Sequence, residues 1–305
     1  IKGLSKFNPT WTIPKMDKSK NNIPNKELLE NMVFNLGMVE LVSYWKITCA
    51  PHVTVKNIYL SQKQIDWWKK LYFYGLGEFF YKNNIKTNID EFMNITAGTN
   101  KLLKSEINIS DEFTGALVPI GGGKDSIVTL NVIKDDFANN MCYVINPRGA
   151  TEETAETAGY GENKRCYVKR TLDKNMLELN KQGYLNGHTP FSSIVAFSAL
   201  IVAYLNKKKY IVLSNEASAN EGNVEGLNIN HQYSKSFEFE RDFREYTMKY
   251  FTPYIEYFSI LRCWNEFEIL QRFLKAPKYL DIFRSCNIGS KRNTWCGACS
   301  KCLYV

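Results

Sequence analysis

Residues 116–126 read Ala116-Leu117-Val118-Pro119-Ile120-Gly121-Gly122-Gly123-Lys124-Asp125-Ser126. A short apolar run ends in three glycines, and a segment with Ile127, Val128, Leu130 and Ile133 at helical spacing follows. A second apolar run occupies residues 141–145. Strand, glycine turn, helix and strand in that order make a βαβ unit, which predicts an α/β fold with a parallel sheet and helices on its faces. At such a junction the first N–H groups of the helix form an anion site, and glycines let the main chain approach phosphate oxygens without a Cβ in the way.

The two common nucleotide loops do not fit. A Walker A loop needs Gly, four residues and then Gly-Lys-Ser/Thr, but Val118 holds the first glycine position and Asp125 follows the lysine. The dinucleotide pattern GxGxxG fails at Ser126. The segment resembles SGGxDS, the pyrophosphate loop (PP-loop) of the N-type ATP pyrophosphatases, with Gly121 in place of the leading serine. That resemblance implies ATP and Mg²⁺. Gly121, Gly122, Gly123, Lys124 and Ser126 would hold pyrophosphate, Asp125 would help place the metal, and adenine would lie along the second strand near Val144 and Asn146. A plain three-glycine turn is the alternative.

Four of the 8 cysteines, Cys286, Cys296, Cys299 and Cys302, crowd into one segment, beside Lys291, Arg292 and Lys301. Such a cluster in a long chain points to a metal rather than to disulfides. Four thiolates suit structural tetrahedral Zn²⁺, and a 4Fe–4S cluster is the alternative. Pyrophosphate loop and cysteine cluster also occur together in the 7-cyano-7-deazaguanine synthases, so the pair does not single out a substrate.

The substrate is narrowed by a polar stretch after the strand expected at 210–213: Ser214-Asn215-Glu216-Ala217-Ser218-Ala219-Asn220-Glu221-Gly222-Asn223, then His231-Gln232-Tyr233-Ser234-Lys235-Ser236. Loops after strand ends form the ligand crevice of an open α/β sheet. This density of amides, hydroxyls and charges suits a ligand with many hydrogen-bonding groups, although a solvated Asn-rich loop is the simpler account. With Asn186-Gly187-His188-Thr189-Pro190 and the cysteines, these motifs resemble the UDP-N-acetylmuramoyl-L-alanyl-L-glutamate epimerases over most of residues 115–305. The resemblance implies ATP-dependent inversion of a terminal L-glutamate through an adenylated carboxylate, releasing AMP and diphosphate. Adenylation neutralises the carboxylate and acidifies the α-proton, so a base and an acid on opposite faces can invert the centre. The candidates for proton transfer are His231, Lys235 and Glu216, with Asp125 serving the loop. Substrate contacts are expected from His188, Asn215, Asn220, Glu221, Tyr233, Ser234, Ser236 and Arg241. Arg241 and Arg244 can equally form surface ion pairs with Glu238 and Glu240, and a structural role for His231 competes with a catalytic one. Two other readings stay open: a carboxylate-adenylating enzyme like the deazaguanine synthases, and a PP-loop enzyme that thiolates tRNA.

The rest of the chain frames this unit. Length and a 44% hydrophobic content predict two domains: an N-terminal α+β domain over 1–112 and the catalytic domain over 113–305. Residues 1–30 read as an irregular lead-in, 38–47 and 53–60 as strands, and 62–82 as an aromatic helical segment packing on its own sheet. Residues 190–205 read as a buried helix. The net charge of +8 is uneven, since residues 1–110 hold 15 lysines, no arginine and 9 acids. The remainder is nearly balanced, which argues against a nucleic-acid partner. It leaves ATP and an anionic UDP-sugar peptide as partners, with oligomeric state unassigned. The longest apolar stretch falls short of a membrane span, and no signal peptide is visible, so a cytoplasmic location is expected.

Overall fold

The computed structural model of the chain describes residues 1–14, 25–98, 101, 103, 113–220, 233–286 and 288–305. Its centre is a six-stranded sheet. Strands β1 (Thr10–Thr12), β4 (Ala116–Pro119), β5 (Met141–Ile145), β6 (Arg165–Thr171), β7 (Tyr210–Leu213) and β8 (Glu256–Ser259) lie in the order β1-β6-β5-β4-β7-β8. Every neighbouring pair is parallel except β1 with β6. The sheet separates two apolar layers, and alternate residues of each strand enter opposite ones, as the strand period of two requires. Leu117, Tyr143 and Ile211 face one layer; Val118, Cys142 and Val212 face the other. Both faces being covered, the strands read as short continuous apolar runs.

The helix order follows from this. The expected βαβ unit is present, with helix α4 (Lys124–Val132) starting directly after the glycines. Helices α5 (Ala150–Thr157) and α6 (Lys174–Lys181) follow, and α7 (Phe191–Leu205) is apolar all round and buried, as its sequence predicts. Helices α8 (Phe237–Tyr250), α9 (Glu266–Leu274) and α10 (Ser300–Tyr304) complete the chain. The sheet order reverses at β4: β5 and β6 lie on one side of it and β7 and β8 on the other. The crevice at such a switch point, outside the carboxyl ends of the strands, is where ligands bind in open α/β sheets. Here the glycines that follow β4 and Ser214–Glu216 that follow β7 flank that crevice.

The first hundred residues differ from their sequence reading. Residues 38–47, expected as a strand, lie on helix α1 (Lys26–Trp45) and the turn after it. Its buried Leu28, Met32, Leu36, Val39 and Val42 recur every three or four residues, and Asn25 caps its start. The β-branched and aromatic residues of its second half suggested a strand, but burial against α7 overrides local propensity. The lead-in is not wholly irregular, since β1 pairs with β6 across Trp11 and Arg170. The second expected strand shrinks to β2 (His52–Val55), which pairs in parallel with β3 (Asn94–Ala97). Helices α2 (Gln62–Gly75) and α3 (Gly77–Lys82) form the aromatic segment. Its tryptophans pack on the later helices rather than on that small sheet: Trp68 stacks on Phe197 at 5.1 Å between ring centres, and Trp67 lies 4.3 Å from Tyr246. One apolar core therefore runs from α1 and α2 through α7 to α8. Among the described residues no helix is long and apolar enough to cross a membrane.

Candidate active site

The glycine loop is held from outside itself. Gly122 sits at φ +76°, and a Cβ there would come within 2.9 Å of the Ala150 carbonyl carbon. Its carbonyl accepts the N–H of Arg284 at 2.8 Å, and the Lys124 N–H donates to the Ser285 hydroxyl at 3.0 Å. Open space surrounds Gly121, and the N-cap of α4, Gly123, has no side chain of its own to offer the helix, so of the first N–H groups Ser285 takes that of Lys124. The Ser126 hydroxyl turns back to the Gly123 carbonyl at 2.9 Å. A helix start with glycine at its N-cap, behind an open glycine, fits an anionic group.

Charged groups converge on the same place. Lys124, 1% exposed, puts its ammonium 2.6 Å from Asp125 and 3.5 Å from Glu266 on α9. Burial alone would push this lysine down, but Asp125, Glu216 and Glu266 overcome it and hold the ammonium above its ordinary range. Glu216 shows the opposite balance. Burial raises its carboxyl, Asp125 and Glu266 raise it further, and Lys124 and Lys301 only partly oppose them. Its Oε2 is buried without a hydrogen-bond partner among the described residues. Lys235 is lowered by burial and by Lys301, against the pull of Asp125 and Glu216. A carboxyl pushed up and an amine pushed down within reach of the same charges is an arrangement suited to proton transfer.

One arginine ties these groups together. Arg262 donates to the Glu216 carbonyl at 3.2 Å, to the Lys235 carbonyl at 2.8 Å and to the Glu240 carboxylate at 2.8 Å. The backbone at Glu216 and at Lys235 is thus fixed to one planar guanidinium. Arg262, Glu266, Ser285 and Lys301 were not among the expected site residues. For Arg262 and Glu266 the sequence carries no motif, and the position of Lys301 among the cysteines marks it only as a counter-charge to them.

Several expected residues carry structural duties. Asn146, at φ 52°, exchanges hydrogen bonds with the Arg170 backbone at 2.8 and 2.9 Å, locking β5 to β6, and Val144 is buried in the sheet. The Asn215 amide donates to Ser259 at 3.0 Å, and Ser236 caps α8 through the Phe239 N–H. Ser234 is buried, and Tyr233 packs its ring 5.4 Å from Tyr74 of α2. Arg241 pairs with its neighbour Asp242 at 3.1 Å, while Glu238 pairs with Lys70 and Glu240 with Arg262. His188 lies 3.6 Å from Glu78 of α3. Asn220 ends the short turn Ala217–Asn220. Glu221 and His231 lie outside the described residues.

Cys286, Cys296, Cys299 and Cys302 come together as expected, with all four sulfurs within 4.8 Å of one another, a set that can hold a metal ion. Sulfur separations are 4.0 Å for Cys286 and Cys299, 3.8 Å for Cys296 and Cys302, and 3.5 Å for Cys299 and Cys302. Backbone N–H groups of Gly289, Cys296, Ala298 and Cys302 point at these sulfurs. Between them, Asn293 accepts the Ala150 N–H at 2.9 Å, so the cysteine segment also leans on the glycine loop's neighbour.

Comparison with known proteins agrees with the family resemblance. Proteins named UDP-N-acetyl-alpha-D-muramoyl-L-alanyl-L-glutamate epimerase share 29% identity over 278 residues in Xanthomonas oryzae pv. oryzae, 29% over 309 residues in Salinispora tropica and 32% over 276 residues in a Micromonospora species. These alignments cover 88%, 99% and 88% of this chain, but it spans only 60%, 66% and 60% of those proteins. A family described as the MurL N-terminal domain matches residues 1–260, continuous through the glycine loop and Glu216 and ending before the cysteines. By that match the chain belongs to the MurL N-terminal domain family.

Proposed function

We propose that this chain carries the catalytic site of an ATP-dependent epimerase that inverts the terminal L-glutamate of a UDP-muramoyl dipeptide to D-glutamate in peptidoglycan precursor synthesis. The observation that carries the proposal is the meeting of a glycine-opened helix start with Lys124, Asp125, Glu216 and Lys235 at the switch point of a parallel sheet. The same geometry supports placement among the PP-loop ATP pyrophosphatases.

The residues divide the work as follows. Main-chain N–H groups at Gly122 and Gly123 bind departing diphosphate, that of Lys124 joins them by exchanging its Ser285 acceptor for a phosphate oxygen, and the buried Lys124 ammonium neutralises it. The Ser126 hydroxyl, turned from the Gly123 carbonyl, donates to the same diphosphate, and Asp125 would hold Mg²⁺, which when bound would offset phosphate charge. The substrate carboxylate attacks the α-phosphorus of ATP, the bond to the β-phosphate oxygen breaks, and the mixed anhydride makes the adjacent C–H acidic. Glu216 and Lys235 then stand as the two proton-transfer groups, one removing the α-proton and the other returning one from the opposite face. Hydrolysis of the anhydride releases AMP. Arg262 acts through the two carbonyls it holds, as a positioning residue.

Zinc suits the cysteines better than an iron–sulfur cube. Bonds of about 2.3 Å in a tetrahedron set sulfur separations of about 3.8 Å; three of the six pairs lie at 3.5 to 4.0 Å and all lie within 4.8 Å. A four-iron cube would hold its cysteine sulfurs well apart. With all four positions taken by protein, the ion is structural.

The test is incubation of the protein with ATP, Mg²⁺ and the L-glutamate precursor in deuterated water, followed by chiral analysis of the glutamate. D-glutamate carrying deuterium at Cα, with one AMP formed per inversion, is expected. AMP formation without deuterium exchange would overturn the proposal.

A further inference from the structure

A second cavity, of about 610 Å³, opens on the far half of α4 and the end of α9, away from the glycines. That volume is in the range of small-ligand sites. Four cations line it, Lys134, Arg272, Lys275 and Lys278, and no lining residue is a carboxylate. Its apolar wall includes Val128 and Trp264. The Arg272 guanidinium lies over the Trp264 ring at 3.8 Å from its centre, which fixes the guanidinium plane. Its Nε is buried and has no acceptor among the described residues. Arg170 and Arg262 each grip a buried glutamate, whereas Arg272 is held by an aromatic face. A fixed guanidinium with a buried, unused donor, ringed by lysines, is complementary to a ligand bringing several anionic oxygens.

Backbone and ion-pair contacts connect the cavity wall to the reaction site. The Trp264 carbonyl accepts the N–H of Ala217, the residue after Glu216, at 3.1 Å. Two residues on from Trp264, Glu266 lies 3.5 Å from the Lys124 ammonium. From Lys124 to Val132, the last residue of α4 and part of the cavity lining, the chain advances roughly 12 Å along the helix. Two amino-acid residues at about 3.5 Å each, with a sugar ring, span that gap.

We infer that this cavity binds the nucleoside diphosphate of the substrate, its diphosphate oxygens on Arg272, Lys275, Lys278 and Lys134, and its base against the apolar wall. The assignment rests on the epimerase proposal above, which supplies a substrate with a diphosphate at one end and the reacting glutamate at the other.

Titration calorimetry of the whole chain with UDP tests it, beside Arg272→Ala and the exposed-rim variant Lys275→Glu, which leaves the Trp264 stack in place. UDP is expected to bind, more weakly as salt rises, and each variant to lose at least tenfold in UDP affinity while ATP affinity stays within twofold of the parent. In turnover, each variant should raise KM for the UDP-linked substrate at least tenfold with kcat unchanged. Absence of UDP binding, or unchanged affinity in both variants, overturns the inference. So does an ADP affinity that equals that of UDP and falls with it, which would assign the cavity to the other nucleotide. UDP binding needs no turnover, so loss of UDP affinity in the variants supports the cavity even if no epimerisation occurs. Epimerisation with unchanged KM in both variants sinks the cavity and leaves the epimerase standing.

Discussion

Lys124 and Lys46 are both nearly inaccessible, at 1% and 4% exposure, yet their surroundings differ in kind. Lys124 is gathered in by carboxylates and keeps its charge above the ordinary range. Lys46, at the end of α1, donates to the Gly187 carbonyl and the Thr189 hydroxyl, and burial together with Arg170 pushes it down to about 8. One lysine keeps its charge among carboxylates, as the proposed diphosphate site requires; the other pins the 186–190 segment to the N-terminal helices. A buried ammonium is therefore no sign of a site by itself, and the sign of its surroundings decides its use.

Four substitutions would break or sharpen that contrast. The largest effect is expected from Asp125→Ala, which removes the nearest anion to Lys124. AMP formation should fall by about 10³-fold or more in a chain that circular dichroism shows to be still folded, although loss of the partner to a buried ammonium lowers its melting temperature; retained activity would reduce the loop to a turn. Glu216→Gln should cost about 10²–10⁴-fold in epimerisation. Because Glu216 is raised, the parent rate is expected to fall with decreasing pH through a value above the usual 4.5 of a carboxyl, and that limb should vanish from the variant's pH–rate profile. Cys299→Ser should lower metal content, measured by mass spectrometry, and destabilise the chain by about 3 kcal/mol. It should also lower activity, because α10 carries Lys301 to Glu216 and Lys235. The smallest effect belongs to Lys46→Met, about 1–2 kcal/mol from two lost hydrogen bonds. A folded value near 8 against the usual 10.5 means that stability tied to Lys46 is complete above 10.5 and lost as pH falls through 8. Denaturant titrations should therefore show the parent gaining on this variant between pH 8 and pH 10.

What the sequence made legible was local. Residues 116–145 declared strand, turn, helix and strand because each signal lies within a few residues of the next. The cysteines declared themselves by spacing. Helix α1 was misread because its second half is buried on several sides, which erases the one-sided apolar stripe that marks a helix. Glu216 and Lys235 were legible as polar groups after a strand, but not their shifted protonation, which comes from Asp125, Glu266 and Lys301. Arg262 could not be found at all, since its role exists only where β7, β8 and α8 meet. Asn146 illustrates the converse: a residue expected near adenine spends its side chain joining two strands.

The grip of Arg262 on the carbonyls of Glu216 and Lys235 has a consequence for the chain between them. Both ends of the stretch from 216 to 235 are anchored at one point, so the chemistry of the acid and the amine is decoupled from the amino acids written between them. Lengthening such a stretch twofold adds only about 0.6 kcal/mol of closure entropy. Changes of length between these two anchors would leave the positions of Glu216 and Lys235 in place.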